Sequence, residues 1–159
     1  MRRSNSRLCP SAWWLTACFI LAGCAHDPYQ ARTDQIKAHV EAFYTHLKAD
    51  RVEAAIHENE QIETLASQLG ETIRSRTQQP GVNRMTREWA LVKTANETAA
   101  QNWLALGQYF AIKKRYDQAR AAYQRVVDTY TGSTERTYRE QAARALRDLD
   151  IMSPSAAQP

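Results

Sequence analysis

Two groups of histidine and acidic residues could bind a metal ion or catalyse hydrolysis. The segment His57-Glu58-Asn59-Glu60-Gln61 resembles part of a zinc-protease helix, but Gln61 stands where the second histidine is needed. His39 and His46 share one helical face, yet seven residues separate them, which is too far for one metal ion without further ligands. The sequence therefore predicts no metal site and no cofactor, with these histidines solvated or at an edge.

A set of neighbouring carboxylates provides the enzymatic alternative. Glu58, Glu60 and Glu63 could supply the acid–base pair of a small envelope hydrolase, or of an accessory protein acting on peptidoglycan. Charged residues on a helix are more often simply solvated. The chain also has no phosphate-binding glycine loop and no elbow serine. A non-enzymatic role is therefore the main prediction.

The first 23 residues have the organisation of an export signal. Met1 to Arg7 carries three arginines and no acid, and an apolar run follows from Leu8 to Leu21. This run is shorter than the roughly 20 residues that a permanent transmembrane helix needs. Small residues, Ala22 and Gly23, then precede Cys24. Ordinary secretion followed by cleavage is predicted, and an uncleaved anchor with an accidental cysteine is the alternative.

The exit segment Leu21-Ala22-Gly23-Cys24 resembles the lipobox of bacterial lipoproteins. The resemblance implies that the thiol of Cys24 receives a diacylglycerol and that residues 1–23 are then removed. Lipoproteins of Gram-negative bacteria that lack aspartate after the cysteine usually reach the outer membrane, and Ala25 occupies that position here. The implied location is the cell envelope, at the periplasmic face of the outer membrane.

Removal of the leader changes the charge balance and the cysteine content. The chain has 21 Lys and Arg against 17 Asp and Glu, and the leader takes three arginines, which leaves 18 against 17. Such a near-neutral domain gives no reason to expect nucleic acid binding. Cys9 and Cys18 leave with the leader and Cys24 takes the lipid, so no disulfide is possible.

Hydrophobic periodicity predicts an all-α domain. Apolar residues recur at helical spacing, and no segment alternates as a strand would. Pro80-Gly81 marks the clearest break, and Gly132 is predicted to end a helix in the left-handed conformation. Five amphipathic helices with short links should stack as antiparallel hairpins. Their predicted ranges are about 33–49, 51–77, 83–114, 117–130 and 134–150.

Seven residues of the third and fourth predicted helices have the spacing of one tightly packed hairpin. Gly107 and Ala119 are small, so the two helices can approach closely, while Trp103, Phe110 and Tyr123 fill the space on either side. The complete set is Trp103, Leu106, Gly107, Phe110, Ala119, Tyr123 and Val126.

This spacing resembles a tetratricopeptide repeat over about residues 100–133, although Thr131 stands where the family usually has proline. The resemblance implies a tetratricopeptide-repeat-like array of antiparallel helical hairpins with a C-terminal capping helix. Arg51–Ala55 can be aligned with Arg115–Ala119, which suggests a weaker first repeat. A plain helical bundle is the alternative.

The combined prediction is a lipid-anchored envelope adaptor that binds a protein or peptide during assembly of an outer-membrane, secretion or pilus complex. Repeat proteins bind partners along their first helices, which predicts contacts from Asn102, Gln108, Tyr109 and Lys113. Alternatively, the third helix buries this face against the second and leaves no groove. The predicted organisation is a signal peptide at 1–23, a lipidated tether at 24–32, the helical domain at 33–151 and a disordered tail at 152–159.

Overall fold

The computed structural model describes residues 27–76 and 81–152, so the predicted leader, Cys24 and residues 153–159 of the predicted tail lie outside the described residues. The described parts of the chain are helical and contain no strand. None of their helices is both long and apolar enough to cross a membrane. The helices are α1 (Pro28–Lys48), α2 (Val52–Ser75), α3 (Val82–Ile112), α4 (Tyr116–Thr129) and α5 (Arg136–Met152). The all-α prediction is confirmed, including the unbroken third helix.

The first helix begins earlier than the sequence pattern predicts. The Asp27 side chain accepts a hydrogen bond from the backbone N–H of Tyr29 at 3.0 Å, which caps α1. Pro28 follows in the first turn, where a missing N–H costs nothing. The predicted tether therefore includes a cap and helical residues from position 28 onward, because an Asp-Pro pair starts a helix as readily as it breaks one.

The α1–α2 and α3–α4 turns share one backbone conformation. Asp50 and Lys114 adopt left-handed φ angles of 58° and 59°. Just after them, the N–H of Arg51 donates to His46 O and the N–H of Arg115 donates to Phe110 O, both at 2.9 Å. These pairs match the alignment of the two segments in the sequence, so the chain contains two hairpins with the same turn.

The α3–α4 hairpin closes around a glycine. All seven motif residues are buried, and Tyr123 is only 3% exposed. A Cβ atom at Gly107 would lie 2.7 Å from both Cδ1 and Cζ of Tyr123, so the ring occupies the space that a side chain would need. The small residue lets α3 and α4 pack closely at this point.

The five helices form a repeat-like array. Each helix packs against the next one in the chain, and α3 also contacts α1 on one side and α5 on the other. The last helix buries Ala142 and Leu149 and exposes mainly charged and polar residues, as a terminal cap should. The first helices of successive hairpins therefore lie side by side.

The prediction that Gly132 ends a helix in the left-handed conformation is wrong. No glycine of the described residues has a positive φ, and α4 already ends at Thr129. Tyr130 is the C-cap of α4, and its ring is buried with the hydroxyl 2.5 Å from Glu63. A Cβ at Gly132 would meet the carboxylate of Glu135, which is the end of a flexible side chain and would have to shift.

Candidate partner-binding groove

The four predicted partner contacts do not share one open face. Asn102 is 1% exposed, and its side-chain N–H donates to Oδ1 of Asn59 at 2.9 Å. The Asn59 side chain in turn donates to the carbonyl of Ala99 at 3.2 Å. The repeat pattern predicts that Asn102 lies on the open side, but it faces α2, where the two amides satisfy each other. It cannot reach a partner without breaking this buried pair.

Tyr109 and Lys113 instead hold the two hairpins together. The Tyr109 hydroxyl donates to the carboxylate of Asp50, and Lys113 Nζ lies 3.2 Å from the other carboxylate oxygen. These hydrogen bonds hold the pKa of Asp50 below its usual range, and the bond from Tyr109 has the largest effect. These contacts brace the left-handed α1–α2 turn against the end of α3. Gln108 is exposed and remains available.

The open face between α1 and α3 contains a groove that the sequence analysis did not assign. It has a volume of about 390 Å³. Ile36 and Leu91 are buried at its base and Val40 is half-buried, which gives it an apolar floor. The other lining residues are Tyr29, Thr33, Lys37, Glu41, Thr94, Thr98 and Gln101.

The rim of this groove is polar with no net charge, since Lys37 offsets Glu41. Hydroxyl and amide groups on its walls can donate and accept hydrogen bonds. An apolar floor below such groups suits a peptide that presents apolar side chains and backbone polar groups. The sequence did carry a signal for this face. Thr94, Thr98 and Gln101 are spaced as one side of a helix, and Gln101 is the neighbour of the buried Asn102.

Glu63, one of the three carboxylates named for the hydrolase alternative, has structural partners. Glu63 accepts hydrogen bonds from Trp103 Nε1 at 2.7 Å, Arg125 Nη2 at 2.7 Å and the Tyr130 hydroxyl at 2.5 Å. The pKa of Tyr130 is raised, mainly because the side chain is buried and also because its hydroxyl is hydrogen-bonded to Glu63. The Arg125 guanidinium also lies 4.3 Å from the centre of the Trp103 ring. Glu63 thus joins α2, α3 and the end of α4.

The two histidines of α1 meet Glu58 of α2. His39 Nδ1 lies 2.7 Å from Glu58 Oε2, and His46 Nε2 lies 3.9 Å from Oε1. The side chains are half-buried rather than fully solvated, whereas His57 is exposed. Within the described ranges, no group of three or more His, Cys, Asp or Glu residues is placed to hold a metal ion. The contacts join α1 to α2.

No family model, curated protein or solved structure matches this chain. The class that the fold defines is an all-α array of helical hairpins, with a groove of mixed polar and apolar lining between α1 and α3.

Proposed function

We propose that this protein is a lipid-anchored adaptor of the bacterial envelope that binds a peptide segment of another envelope protein in the α1–α3 groove. The observation that carries the proposal is the groove itself, with its apolar floor and a polar rim that has no net charge. Packing of α1 against α3 places the first helices of both hairpins beside the groove, as in repeat proteins that bind peptides. The lipobox-like segment supports the envelope location.

The groove is tested by site-specific photocrosslinking in cells. We expect a crosslinker at Gln101, which is exposed on the groove, to capture a partner, whereas one at Gln68, which is exposed on α2, should not. Thr98→Trp should reduce the Gln101 adduct at least about tenfold, because the indole fills space that the peptide needs. The matched control is Thr64→Trp, which adds the same ring at an exposed site on α2.

These two comparisons distinguish specific binding in the groove from crosslinking by chance proximity. Loss of the adduct with Thr98→Trp and its retention with Thr64→Trp support the proposal, provided that both variants melt like the parent. Equal adducts at Gln101 and Gln68, or full capture by Thr98→Trp, would place the partner elsewhere.

The anchor is tested by changing Cys24. We expect Cys24→Ala to abolish incorporation of a labelled fatty acid and to leave the leader attached, because only a thiol at this position can accept the diacylglycerol. Cys18→Ala is the matched control, since it removes a cysteine from the apolar part of the leader. Equal labelling of the parent and Cys24→Ala would refute the lipoprotein assignment.

A further inference from the structure

A second cavity lies at the end of the array where the described chain begins. Its volume is about 560 Å³, and its walls come from the start of α1, the end of α2 and the start of α3. Leu69 and Leu91 are buried at its base and Ile73 is half-buried, so the floor is apolar. The cavity is separate from the groove floor except for Leu91 and Tyr29, which line both.

The walls of this cavity carry an excess of positive charge. Four arginines face two carboxylates, which gives a net charge of +2. These residues are Arg32, Arg76, Arg84 and Arg87, with Asp27 and Glu88.

Both carboxylates of the cavity are already engaged. Glu88 accepts hydrogen bonds from Arg76 at 2.5 Å and from Arg84 at 3.2 Å. Both bonds lower the pKa of Glu88, and the bond from Arg76 has the larger effect. Asp27 caps α1. Arg32 and Arg87 form no ion pair or hydrogen bond through their side chains within the described parts of the chain. Their guanidinium groups therefore keep an uncompensated charge beside the cavity.

The cavity lies close to the proposed lipid. Asp27 follows Cys24 by three residues, which can span at most about 10 Å when extended. The first two turns of α3 also expose Met85 and Trp89, with 37% and 42% of their surfaces accessible. Tryptophan and arginine together are favoured at the boundary between lipid and water.

We infer that this cavity binds the headgroup phosphate of an anionic membrane lipid. A guanidinium group matches two phosphate oxygens at once, and Arg32 and Arg87 are free to do so. The N-terminus of α3 borders the cavity without a side-chain cap, so its partial positive charge adds to that of the arginines. The apolar floor accommodates the first carbons of the lipid. The inference rests on the proposed lipid anchor only for the position of the membrane. The positive charge of the cavity comes from its own arginines and does not depend on the anchor.

The inference is tested with the unlipidated domain that begins at Ala25, since the buried core residues of the described chain lie between Ile36 and Leu149, with Tyr29 packed against them. Sedimentation with vesicles measures its binding to phosphatidylglycerol and to phosphatidylcholine. We expect the parent to prefer phosphatidylglycerol, and Arg32→Gln with Arg87→Gln to weaken this binding about tenfold or more. The matched control is Arg51→Gln with Arg147→Gln, which removes two exposed charges away from the cavity, at the α1–α2 turn and near the end of α5.

The outcomes distinguish three sources of binding. Loss of vesicle binding in the cavity variant alone, with an unchanged melt, supports the lipid site. Equal losses in both double variants would reveal general charge attraction and overturn it. Binding of inorganic phosphate as tightly as vesicles, measured by calorimetry, would make a soluble anion the ligand and also overturn it. Failure of Cys24 labelling would not affect any of these results, because the domain used has no lipid.

Discussion

Gly107→Leu is expected to destabilise the domain by about 3 kcal/mol, since a large side chain is forced into a closed helix crossing. Leucine is the better helix former by about 1 kcal/mol, so propensity alone would raise stability. The added Cβ would already lie 2.7 Å from two atoms of the Tyr123 ring, so a leucine side chain must displace that ring. Because Tyr123 is 3% exposed, its ring cannot move aside without disturbing α4. The measurement is urea unfolding of the domain that begins at Ala25.

Gly70→Ala is the control that isolates the crossing. The atoms nearest to a Cβ at Gly70 would be those of the flexible Arg74 guanidinium, at 3.6 Å, an ordinary van der Waals contact. This change should therefore stabilise the protein by up to about 1 kcal/mol through helix propensity. Unchanged stability of Gly107→Leu would mean that α3 and α4 do not approach closely at Gly107, and the assignment of the repeat-like hairpin would fail.

The hairpin of α1 and α2 shows why the sequence revealed only one repeat clearly. Aligning Arg51 with Arg115 places Phe43 at the position of Gly107 and Asn59 at the position of Tyr123. Phe43 and Asn59 are both buried, at 0% and 1% exposure. The larger residue of each pair is thus Phe43 on the first helix of the α1–α2 hairpin, but Tyr123 on the second helix of the α3–α4 hairpin. A motif defined by residue types cannot recognise this exchange, although both hairpins share the same turn.

The face of a helix was harder to predict than its existence. Successive residues differ by about 100° around a helix, so an error of one position moves a side chain from the groove to the core. Asn102 and Gln101 differ in this way. The buried amide pair depends on Asn59, which is distant in sequence, so helical periodicity alone gives no sign of it. The arginines of the second cavity likewise come from α1, the C-cap of α2 and α3, and are spread along the chain.

Glu63→Ala should destabilise the domain nearly as much as Gly107→Leu. The alanine removes the acceptor shared by Trp103, Arg125 and Tyr130, and it leaves two nearly buried donors without a partner. Hydrogen bonds to a charged group contribute about 1.5–3 kcal/mol each, but they are not additive within one network. Since Arg125 is partly exposed and can turn to water, we expect a total loss of about 2–4 kcal/mol. Thermal and urea unfolding, followed by tryptophan fluorescence, measure it.

Glu60→Ala is the matched control, because it removes a carboxylate one turn away on the same helix. Glu60 is 45% exposed and lies 3.8 Å from Arg125, so its loss should change stability by less than about 0.5 kcal/mol. The pair of variants also discriminates between the two proposed roles of Glu63. A structural carboxylate requires that Glu63→Ala unfold at lower urea than Glu60→Ala. A variant as stable as the parent would instead leave Glu63 free for the hydrolase alternative, in which its removal abolishes a reaction without affecting the fold.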